Sequence, residues 1–487
     1  MKIDLENLTI AKARKHLDNG DFSALDLAKA YLDEIKKKNK DIHAYLEVFS
    51  DVEEQAKEAD KKIKEFKNLK TSKPPDLLGI PIAIKDNILI KGRKVSAASK
   101  MLENYIAPYD ATAILKLKSA GAVFLGRVNM DEFAMGASTE NSAFGPTKNP
   151  HDLSRVPGGT SGGSAAAVAA NMALVALGSD TGGSVRQPSS FCGVIGYKPS
   201  YGGVSRYGLM AMGSSLDVIG TVSRTIADAE ILFSVIKGKD PQDSTSIDVS
   251  LSSSGKKKLK IADMTPFIGD VGAGGVDPKV MENYKESLLR LKKLGHEIVT
   301  VKTDLSALKY ALPTYYIIMP AEVSTNLARL DGVRYGLYKD NGGNLISDYK
   351  ETRGAGFGRE TRRRILLGTY VLSAGYYDAY YGKASAVRGL IRKTFGEIFK
   401  EVDLVATPTA PTPAFKLGEK MADPVQMYLA DIFTVTANMA SIPAVSLPSG
   451  FTEVEGKKLP LGFQLLAPYG EDGLLFDAGK DFLGESK

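Results

Sequence analysis

The first 75 residues place apolar and charged positions with the period of amphipathic helices. Ser23 and Asp26 stand three residues apart, the spacing of a helix capping box, with Asp in place of the usual Glu. After them, apolar residues recur at the i, i+3, i+4, i+7 positions of one helix face: Ala28, Tyr31, Leu32 and Ile35. A charged run follows and ends at a pair of prolines. The pattern predicts a helical arm, residues 1–75, packed on a larger body formed by residues 76–487.

The pattern then changes to short apolar runs of strand length. Residues 77–92 are rich in Ile and Leu, as in a buried strand, although Lys85 and Asp86 interrupt them. A helix over residues 111–120 leads into a second apolar strand over residues 122–130. This β–α–β order favours a largely parallel sheet covered by helices. Lys85 is the unusual residue, because a buried ammonium group is costly unless it is paired or neutral.

The second half of the chain repeats this order. A strand that begins at Leu259 precedes a helix capped by Asp277, with Pro278 at the first helical position, and residues 297–301 form the return strand. The segment from about residue 310 to 395 is helical and rich in arginine and tyrosine. Three further strand candidates lie in EVDLVATPT, PAVSLPS and PLGFQLL. Nothing in this pattern marks a split into independent domains.

One stretch, residues 156–190, is unusually dense in glycine and hydroxyl side chains. Seven of its 35 residues are glycine, against 48 of 487 in the whole chain. Two Gly-Gly-Ser units, which end at Ser164 and Ser184, flank an alanine-rich run. Glycine has no Cβ, so the backbone can approach other atoms closely. The stretch is therefore predicted to present N–H and O–H groups to a ligand or a reacting atom.

Composition restricts the class of protein. Charged residues make up 25% and hydrophobic residues 43% of the chain, as in folded globular proteins. No apolar run has the length of a membrane span, and the N-terminus lacks a signal-peptide core, so a cytoplasmic protein is expected. The single cysteine, Cys192, is expected to be a small buried apolar residue. A net charge of +6 is compatible with an acidic partner such as tRNA, and equally with a lysine-rich solvated surface.

The chain lacks residues that three other kinds of site require: a histidine-based hydrolase triad, a phosphate-binding loop and a metal site. Ser161 lies in a G-x-S-x-G pattern, but a hydrolase triad needs a downstream histidine, and only His296 follows, in an ordinary helix-to-strand turn. A phosphate-binding loop would need Gly-Lys-Ser or Gly-Lys-Thr, which the stretch lacks. Four scattered histidines and one cysteine predict no metal site. A serine activated by a residue other than histidine remains, and Lys85 is the obvious base.

A lysine can serve as a base when burial lowers its pKa from about 10.4 toward 7–8. A hydroxyl group between the lysine and the nucleophile would then relay the proton. The backbone amides of the DTGGS segment, residues 180–184, can stabilise the oxyanion that forms when a serine attacks a carbonyl group.

Three motifs taken together resemble the amidase signature family. They are GIPIAIKDN, which contains Lys85, then GGTSGGSAAAVAA, and GSDTGGSVRQPSSFCGVIGYKPSYG. The resemblance runs in order over nearly the whole chain. It implies an α/β fold, with one large domain built on a central mixed β-sheet that helices cover on both faces. It also implies hydrolysis of an amide by a Ser–Ser–Lys group.

The resemblance assigns roles to individual residues. It implies that Ser184 is the nucleophile that forms an acyl-enzyme and that Lys85 is the base. It also implies an oxyanion hole made by the amide of Ser184 and those of three residues before it, Thr181, Gly182 and Gly183. The family usually has a serine, joined by a cis peptide bond, 24 positions before the nucleophile, where this chain has Thr160. Threonine keeps the hydroxyl group, so we expect Thr160 to relay the proton, with Ser161 as the alternative.

Four stretches outside these motifs resemble the glutamine-hydrolysing subunits of tRNA-dependent amidotransferases: MDEFAMGASTENSAFGPTKNP, YYIIMPAEVSTNLARLDGVRYG, RRRILLGTYVLSAGYYDAYY and MYLADIFTVTANMASIPAVSLPSG. Such a subunit releases ammonia from glutamine and carries no cofactor of its own. The resemblance implies a B subunit that uses ATP and Mg²⁺ to convert Glu-tRNA(Gln) to Gln-tRNA(Gln), and a small C subunit that clamps the pair. A stand-alone amidase acting on a small amide is the alternative.

The same resemblance implies a glutamine-binding site that includes the helical segment of about residues 310–395. Arg364 can offer a bidentate guanidinium group to the α-carboxylate of glutamine. Asp431 can offer a carboxylate to the α-ammonium group, and Tyr315 is the matching aromatic contact. Tyr316 and Arg363 are adjacent in sequence and remain alternatives for these roles.

Overall fold

The computed structural model describes residues 3–69, 73–251, 255–256, 258–269, 275–340 and 342–485. Within these ranges, eleven strands form one sheet. The strands are β1 (Tyr45–Val48), β2 (Pro81–Lys85), β3 (Val123–Val128), β4 (Val175–Asp180), β5 (Ile195–Lys198), β6 (Val218–Ser223), β7 (Lys260–Asp263), β8 (Glu297–Val299), β9 (Leu404–Pro408), β10 (Ala444–Val454) and β11 (Lys457–Leu466).

The order of strands across the sheet is β1-β3-β2-β4-β6-β5-β10-β11-β9-β7-β8. Strand β2 is parallel to both β3 and β4, and β7 is parallel to both β8 and β9. The remaining six pairs are antiparallel, including the long β10–β11 hairpin. The predicted α/β fold with a central mixed sheet is confirmed. The largely parallel sheet expected from the β–α–β pattern alone is wrong, because that pattern locates strands without identifying their partners.

Sixteen α-helices lie among the described residues. They are α1 (Ile10–Asn19), α2 (Ala24–Ile42), α3 (Val52–Leu69), α4 (Thr112–Ser119), α5 (Gly162–Ala169), α6 (Arg186–Cys192), α7 (Ile226–Ile236), α8 (Thr265–Ile268), α9 (Pro278–Lys293), α10 (Ala311–Asn326), α11 (Leu345–Gly356), α12 (Arg359–Val371), α13 (Lys383–Glu401), α14 (Pro424–Tyr428), α15 (Val435–Ala440) and α16 (Gly473–Leu483). Shorter helical turns include Leu429–Asp431 and a π-helical turn at Tyr377–Gly382. No helix in the described part of the chain combines the length and the apolar character of a membrane span.

The predicted N-terminal arm contains more than helices. The capping box of Ser23 and Asp26 is present at the start of α2. However, the four-residue strand β1 also lies in this region and pairs with β3 at one edge of the sheet. Contacts with the body include the Ile10 N–H, which donates to the Asp228 carboxylate at 2.8 Å. Residues 1–2 and 70–72 of the predicted arm lie outside the described residues.

Both predicted β–α–β units are present, as β2–α4–β3 and β7–α9–β8. Strand β2 is shorter than the apolar run that predicted it, and it ends at Lys85. Just after the strand, the Asp86 carboxylate accepts hydrogen bonds from the N–H groups of Ser96 and Ala98, at 3.1 and 2.9 Å, which hold the following loop against the end of β2. Since β2 and β4 are parallel neighbours, their carboxyl ends lie at the same edge of the sheet, where α/β proteins commonly bind ligands.

The helical segment is joined to the rest of the fold by a buried carboxylate. Glu132 accepts hydrogen bonds from the Gly358 N–H at 2.8 Å and from the Thr361 hydroxyl at 2.5 Å, at the start of α12. It also accepts one from the Ser99 hydroxyl at 2.5 Å. Helix α12 packs against α10, and Gly368 permits the contact because a Cβ there would lie 1.8 Å from the Pro320 carbonyl oxygen. These contacts fix the helix that carries Arg364.

Candidate active site

Lys85 ends strand β2 with its side chain fully buried. Its Nζ donates hydrogen bonds to three hydroxyl groups: Thr160 Oγ1 at 2.7 Å, Ser161 Oγ at 2.8 Å and Ser179 Oγ at 2.8 Å. A fourth, longer contact reaches the Ser179 carbonyl oxygen at 3.3 Å. The predicted lysine and the predicted relay residue are therefore in direct contact.

The pKa of Lys85 is displaced far from its ordinary value. Burial lowers this pKa to about 7, because the ammonium group has lost its hydration. The carboxylates of Asp131, Asp180 and Asp217 act in the opposite direction but do not cancel the effect of burial. Burial in turn raises the pKa of both Asp131 and Asp217 to about 6. A large fraction of Lys85 is thus neutral near pH 7, as a general base requires.

Thr160 and Ser161 both contact Lys85 but differ in their other bonds. The Gly159–Thr160 peptide bond is cis. The Ser161 hydroxyl donates to the Ser179 carbonyl oxygen at 3.1 Å and accepts from the Ser179 N–H at 3.2 Å. Among the described residues, the Thr160 hydroxyl has Lys85 as its one hydrogen-bond partner. Of the two candidates, Thr160 has the hydroxyl proton that is free to move.

Ser184 lies in the loop between β4 and α6, next to the first glycine-rich loop. Its carbonyl oxygen accepts a hydrogen bond from the Ser161 N–H at 3.0 Å, which ties the two loops together. The residue is 8% exposed, whereas Lys85 and Thr160 are fully buried. The Ser184 hydroxyl takes part in none of the hydrogen bonds between described residues, so its predicted link to Thr160 is not formed in this structure.

The predicted oxyanion donors are not equivalent. The Gly183 N–H donates to the Asp180 carboxylate at 2.9 Å and is therefore occupied. The amides of Thr181, Gly182 and Ser184 donate none of the hydrogen bonds found within the described part of the chain. Gly183 adopts a φ of 137°, and a Cβ there would lie 2.1 Å from Thr434 Oγ1. The glycine thus permits both the backbone conformation and the close packing of the loop.

A buried ion pair between Asp180 and Arg186 anchors the two ends of the loop that carries Ser184. Asp180 and Arg186 form two hydrogen bonds, at 2.9 and 3.0 Å, and both residues are fully buried. Burial alone would raise the pKa of Asp180, but the Arg186 guanidinium outweighs it and lowers that pKa to about 2. Arg186 also donates to Gln464 Oε1 and Asn438 Oδ1, each at 2.6 Å. A fifth bond, to the Thr434 carbonyl oxygen at 2.8 Å, satisfies the last of its five N–H donors, as a buried charge requires.

Arg364 is buried within an aromatic and acidic environment. Its Nε donates to Glu360 Oε1 at 2.8 Å, and its guanidinium carbon lies 5.4 Å from the ring centroids of both Tyr316 and Tyr428. Burial opposes its charge, but Glu360 raises the pKa of Arg364 overall, so it stays protonated. Arg363 also pairs with Glu360, but its side chain is 34% exposed. The structure thus separates the two arginines that the sequence left as alternatives.

Tyr315 and Asp431 approach the nucleophile loop from two different elements. Tyr315 is buried on α10, and a Cβ on Gly182 would lie 2.9 Å from its hydroxyl oxygen. Asp431 is also buried, and burial raises its pKa well above the ordinary value, although Arg364 opposes the shift. Thr434 links Asp431 to the loop, because its hydroxyl contacts Gly182 O at 2.7 Å and Asp431 O at 3.1 Å. Tyr315 and Asp431 therefore lie close to the loop that carries Ser184.

The structure does not bring the histidine of the alternative triad to this site. His296 precedes β8, which lies seven strands from β4, or roughly 30 Å at the usual strand spacing. His296 Nδ1 instead accepts a hydrogen bond from the Leu259 N–H at 3.3 Å. Cys192 is buried as expected, and burial raises the pKa of its thiol. Within the described residues, no group of three or more His, Cys, Asp and Glu side chains is arranged to hold a metal ion.

Several residues at the site were not predicted from the sequence. Ser179 and Asn87 border Lys85, since the Asn87 amide donates to Ser179 Oγ at 2.9 Å. Both lie within the motifs that carry the family resemblance, next to residues that were singled out. Glu360 stands four positions before Arg364 on α12, a spacing that indicates a side-chain pair on a helix, whereas Tyr428 comes from α14 and has no comparable sequence signal.

Comparisons with known proteins agree with this geometry. A family model described as Amidase matches residues 26–476. The chain is similar to the A subunit of glutamyl-tRNA(Gln) amidotransferase from Carboxydothermus hydrogenoformans, with 49% identity over 99% of this chain and 97% of that protein. For the corresponding protein of Thermoanaerobacter pseudethanolicus, the identity is 48% over 99% of this chain and 96% of that protein.

A solved structure extends this similarity to the fold. The crystal structure of the glutamyl-tRNA(Gln) amidotransferase A subunit from Thermotoga maritima has a TM-score of 0.78 to this chain at 40% identity. The match covers 99% of this chain and 95% of that one. The chain therefore belongs to the amidase family and, within it, to the group of glutamyl-tRNA(Gln) amidotransferase A subunits.

Proposed function

We propose that this chain hydrolyses glutamine as the ammonia-supplying subunit of a glutamyl-tRNA(Gln) amidotransferase. The observation that carries the proposal is the contact between the buried, partly neutral Lys85 and the Thr160 hydroxyl at 2.7 Å. This contact supplies a base and a relay at the edge of the sheet where Ser184 lies. Similarity to the A subunits over 99% of the chain supports glutamine as the substrate.

In the proposed reaction, neutral Lys85 accepts a proton from Thr160, which takes the proton of Ser184. The Ser184 oxygen attacks the side-chain carbonyl carbon of glutamine and forms a tetrahedral oxyanion. Donors pre-oriented toward such an oxyanion usually contribute about 10²–10³ in rate each, and we assign this role to the amides of Thr181 and Gly182, with that of Ser184. The C–N bond then breaks, and the departing nitrogen takes back the proton from Lys85 to leave as ammonia.

The second half of the reaction returns the enzyme to its starting state. Water attacks the acyl-enzyme, with Lys85 accepting a water proton through the same hydroxyl. Ser184 is released with its proton restored, and glutamate leaves. The balanced reaction is glutamine plus water giving glutamate plus ammonia.

We assign recognition of glutamine to three buried residues. The Arg364 guanidinium pairs with the α-carboxylate, since Glu360 and the two tyrosine rings hold it in one orientation. The Asp431 carboxylate pairs with the α-ammonium group, and binding of that cation favours its ionised form. Tyr315 packs beside Gly182 and delimits the side-chain end of the site.

We further propose that the ammonia is used by a partner. Amidation of the tRNA-bound glutamate requires activation of a carboxylate, which we place on a B subunit that binds ATP and Mg²⁺. A small C subunit would hold the two larger subunits together. The name of the similar relatives, which describes them as subunits, supports an assembly of this kind.

The experiment that tests the proposal compares glutamine with ammonium as the nitrogen source. In the assembled enzyme, Ser184→Ala is expected to abolish conversion of Glu-tRNA(Gln) with glutamine while conversion with ammonium chloride persists. Product formed from glutamine by this variant would contradict the mechanism. A chain that purifies without partners and hydrolyses simple amides unaided would instead favour a stand-alone amidase.

The relay is tested by a matched pair of variants. Thr160→Ala is expected to lose more than about tenfold in kcat, equivalent to about 1.4 kcal/mol. Ser161→Ala removes a hydroxyl at nearly the same distance from Lys85 and serves as the control. A larger loss of kcat for Ser161→Ala than for Thr160→Ala would transfer the relay to Ser161.

A further inference from the structure

Three hydroxyl groups surround Lys85, although the proposed relay uses only one of them. The Nζ atom lies 2.7 Å from Thr160 Oγ1 and 2.8 Å from the hydroxyl oxygens of both Ser161 and Ser179. A protonated lysine has three N–H donors, so the three hydroxyls match the charged state that follows proton transfer. In the neutral state, two N–H groups and one lone pair share the same three directions.

The other hydrogen bonds of Ser161 determine which atom donates in the bond between Lys85 Nζ and Ser161 Oγ. The Ser161 hydroxyl donates its proton to the Ser179 carbonyl oxygen at 3.1 Å and accepts from the Ser179 N–H at 3.2 Å. Because its own proton is already used, Ser161 can only accept from Lys85. One N–H of the lysine therefore points at Ser161 in either protonation state.

The direction toward Ser179 is set by Asn87. The Asn87 amide nitrogen donates to Ser179 Oγ at 2.9 Å, and both residues are 2% exposed. Asn87 is itself held just after β2, where its carbonyl oxygen accepts from the Met210 N–H at 2.9 Å. Within the described part of the chain, its side-chain oxygen has no hydrogen-bond partner, so Ser179 is the one group that the side chain engages.

We propose that Asn87 is a positioning residue that acts on Lys85 through Ser179. The amide anchors the Ser179 hydroxyl, and this hydroxyl, with that of Ser161, fixes two of the three directions at Nζ. Tetrahedral geometry then aims the third direction at Thr160, where the proton must arrive. The proposal rests on the proposed function only in taking Lys85 as the base.

The charges that face Lys85 allow the proposal to be tested. The carboxylates that raise its pKa against the effect of burial are those of Asp131, Asp180 and Asp217. The Asn87 amide nitrogen lies at most 5.7 Å from Nζ, the total of the 2.9 Å and 2.8 Å bonds through Ser179. A carboxylate at that position would add a fourth negative charge, and an opposite charge at such a distance favours the protonated lysine by about one unit or more.

The experiment measures modification of Ser184 by phenylmethylsulfonyl fluoride from about pH 5 to pH 10, followed by intact mass. The serine oxygen displaces fluoride from sulfur and gives up its proton to the base, so the rate reports the fraction of neutral Lys85. We expect Asn87→Asp to move the midpoint of this profile upward by about one pH unit or more. Ser179→Ala removes an acceptor of the lysine ammonium and is expected to move the midpoint downward by about one unit, with Ser179→Thr restoring it.

Ser164→Ala is the matched control, because it also removes a buried hydroxyl beside β4. That hydroxyl donates to the Leu177 carbonyl oxygen at 2.9 Å, and its loss is expected to leave the midpoint unchanged. Reduced rates at an unshifted midpoint in both Asn87→Asp and Ser179→Ala would overturn the proposal. If Asn87→Asp does not fold, the direction of the shift in Ser179→Ala alone decides.

Different results would refute the role of Asn87 and the hydrolysis of glutamine. The sulfonyl fluoride contains no glutamine, so a wild-type chain that reacts with it but releases no ammonia from glutamine would refute only the function. The pH dependence of kcat/KM for glutamine, measured on the same variants in the assembled enzyme, provides the second reading. Agreement of the two midpoints supports one base for both reactions. Midpoints of Asn87→Asp and Ser179→Ala that both equal that of the wild type in both assays overturn the inference.

Discussion

The burial of Lys85 specifies how the reaction depends on pH. Removal from water lowers the pKa of this side chain to about 7, even though three carboxylates favour its charged form. Since only the neutral amine is a base, about a tenth of the enzyme is competent at about pH 6, about half at pH 7 and about nine-tenths at pH 8. We therefore expect kcat/KM for glutamine to rise about tenfold between about pH 6 and pH 8, and then to level off.

The size of this rise in kcat/KM distinguishes the buried Lys85 from a lysine with an ordinary pKa. A lysine that kept a pKa of about 10.4 would give a rise of about a hundredfold over the same interval, without a plateau. The assay is the initial rate of glutamate formation at glutamine concentrations far below KM, in buffers of constant ionic strength. A thermal melt at each pH shows that the enzyme remains folded, so that the profile reports the base.

Two results would refute the reasoning. A profile that still climbs tenfold per pH unit above about pH 8 would mean that burial does not shift the pKa of Lys85 as described. A flat profile between about pH 6 and pH 8 would mean that a group other than Lys85 limits the reaction.

Three further predictions test the surroundings of the site. Arg364→Lys is expected to raise KM for glutamine by about 10- to 100-fold, as loss of a charged, bidentate contact should, whereas the partly exposed Arg363→Lys leaves KM nearly unchanged; equal effects in steady-state kinetics would contradict the assignment. Arg186→Met leaves the buried Asp180 carboxylate without its charged partner and is expected to lower the free energy of unfolding by about 3–5 kcal/mol in urea titrations. A loss below about 1 kcal/mol would argue against a stabilising ion pair. Gly183→Ala places a Cβ 2.1 Å from Thr434 Oγ1 and should reduce kcat more than about a hundredfold, whereas Gly354→Ala, with no atom within 4 Å of the new Cβ, keeps wild-type kcat and checks that the effect is local.

The sequence singled out the residues that we propose to react, but not most of the residues that surround them. Lys85, Thr160 and Ser184 lie in the motifs that carry the family resemblance, and that resemblance implied their roles. In the structure, Lys85 and Thr160 are in direct contact. The role of Ser179 depends on β2 and β4 being neighbours, which no spacing within either strand reveals. A contact between strands that are distant in sequence is a tertiary property, and periodicity carries no information about it.

The other differences have separate causes. Strand β1 has four residues between two long helices, too few for alternation to be recognised. The surroundings of Arg364 combine Glu360, one turn earlier on the same helix, with tyrosines from α10 and α14. The occupied Gly183 amide was not predicted, although Asp180 stands only three residues before it and Asp side chains often accept from nearby backbone N–H groups in turns.

The hydrogen bonds of Arg186 have a consequence for how the chain can be divided. Every residue of the proposed relay lies before position 185, within the first half of the sequence. Yet the arginine that anchors the nucleophile loop reaches Asn438 and Gln464, the latter 278 positions further along the chain. A fragment that stops after the reacting residues would keep the Asp180 partner of Arg186 but lose its acceptors Asn438 and Gln464. The loop that carries the proposed nucleophile therefore depends on the second half of the chain for part of its anchoring.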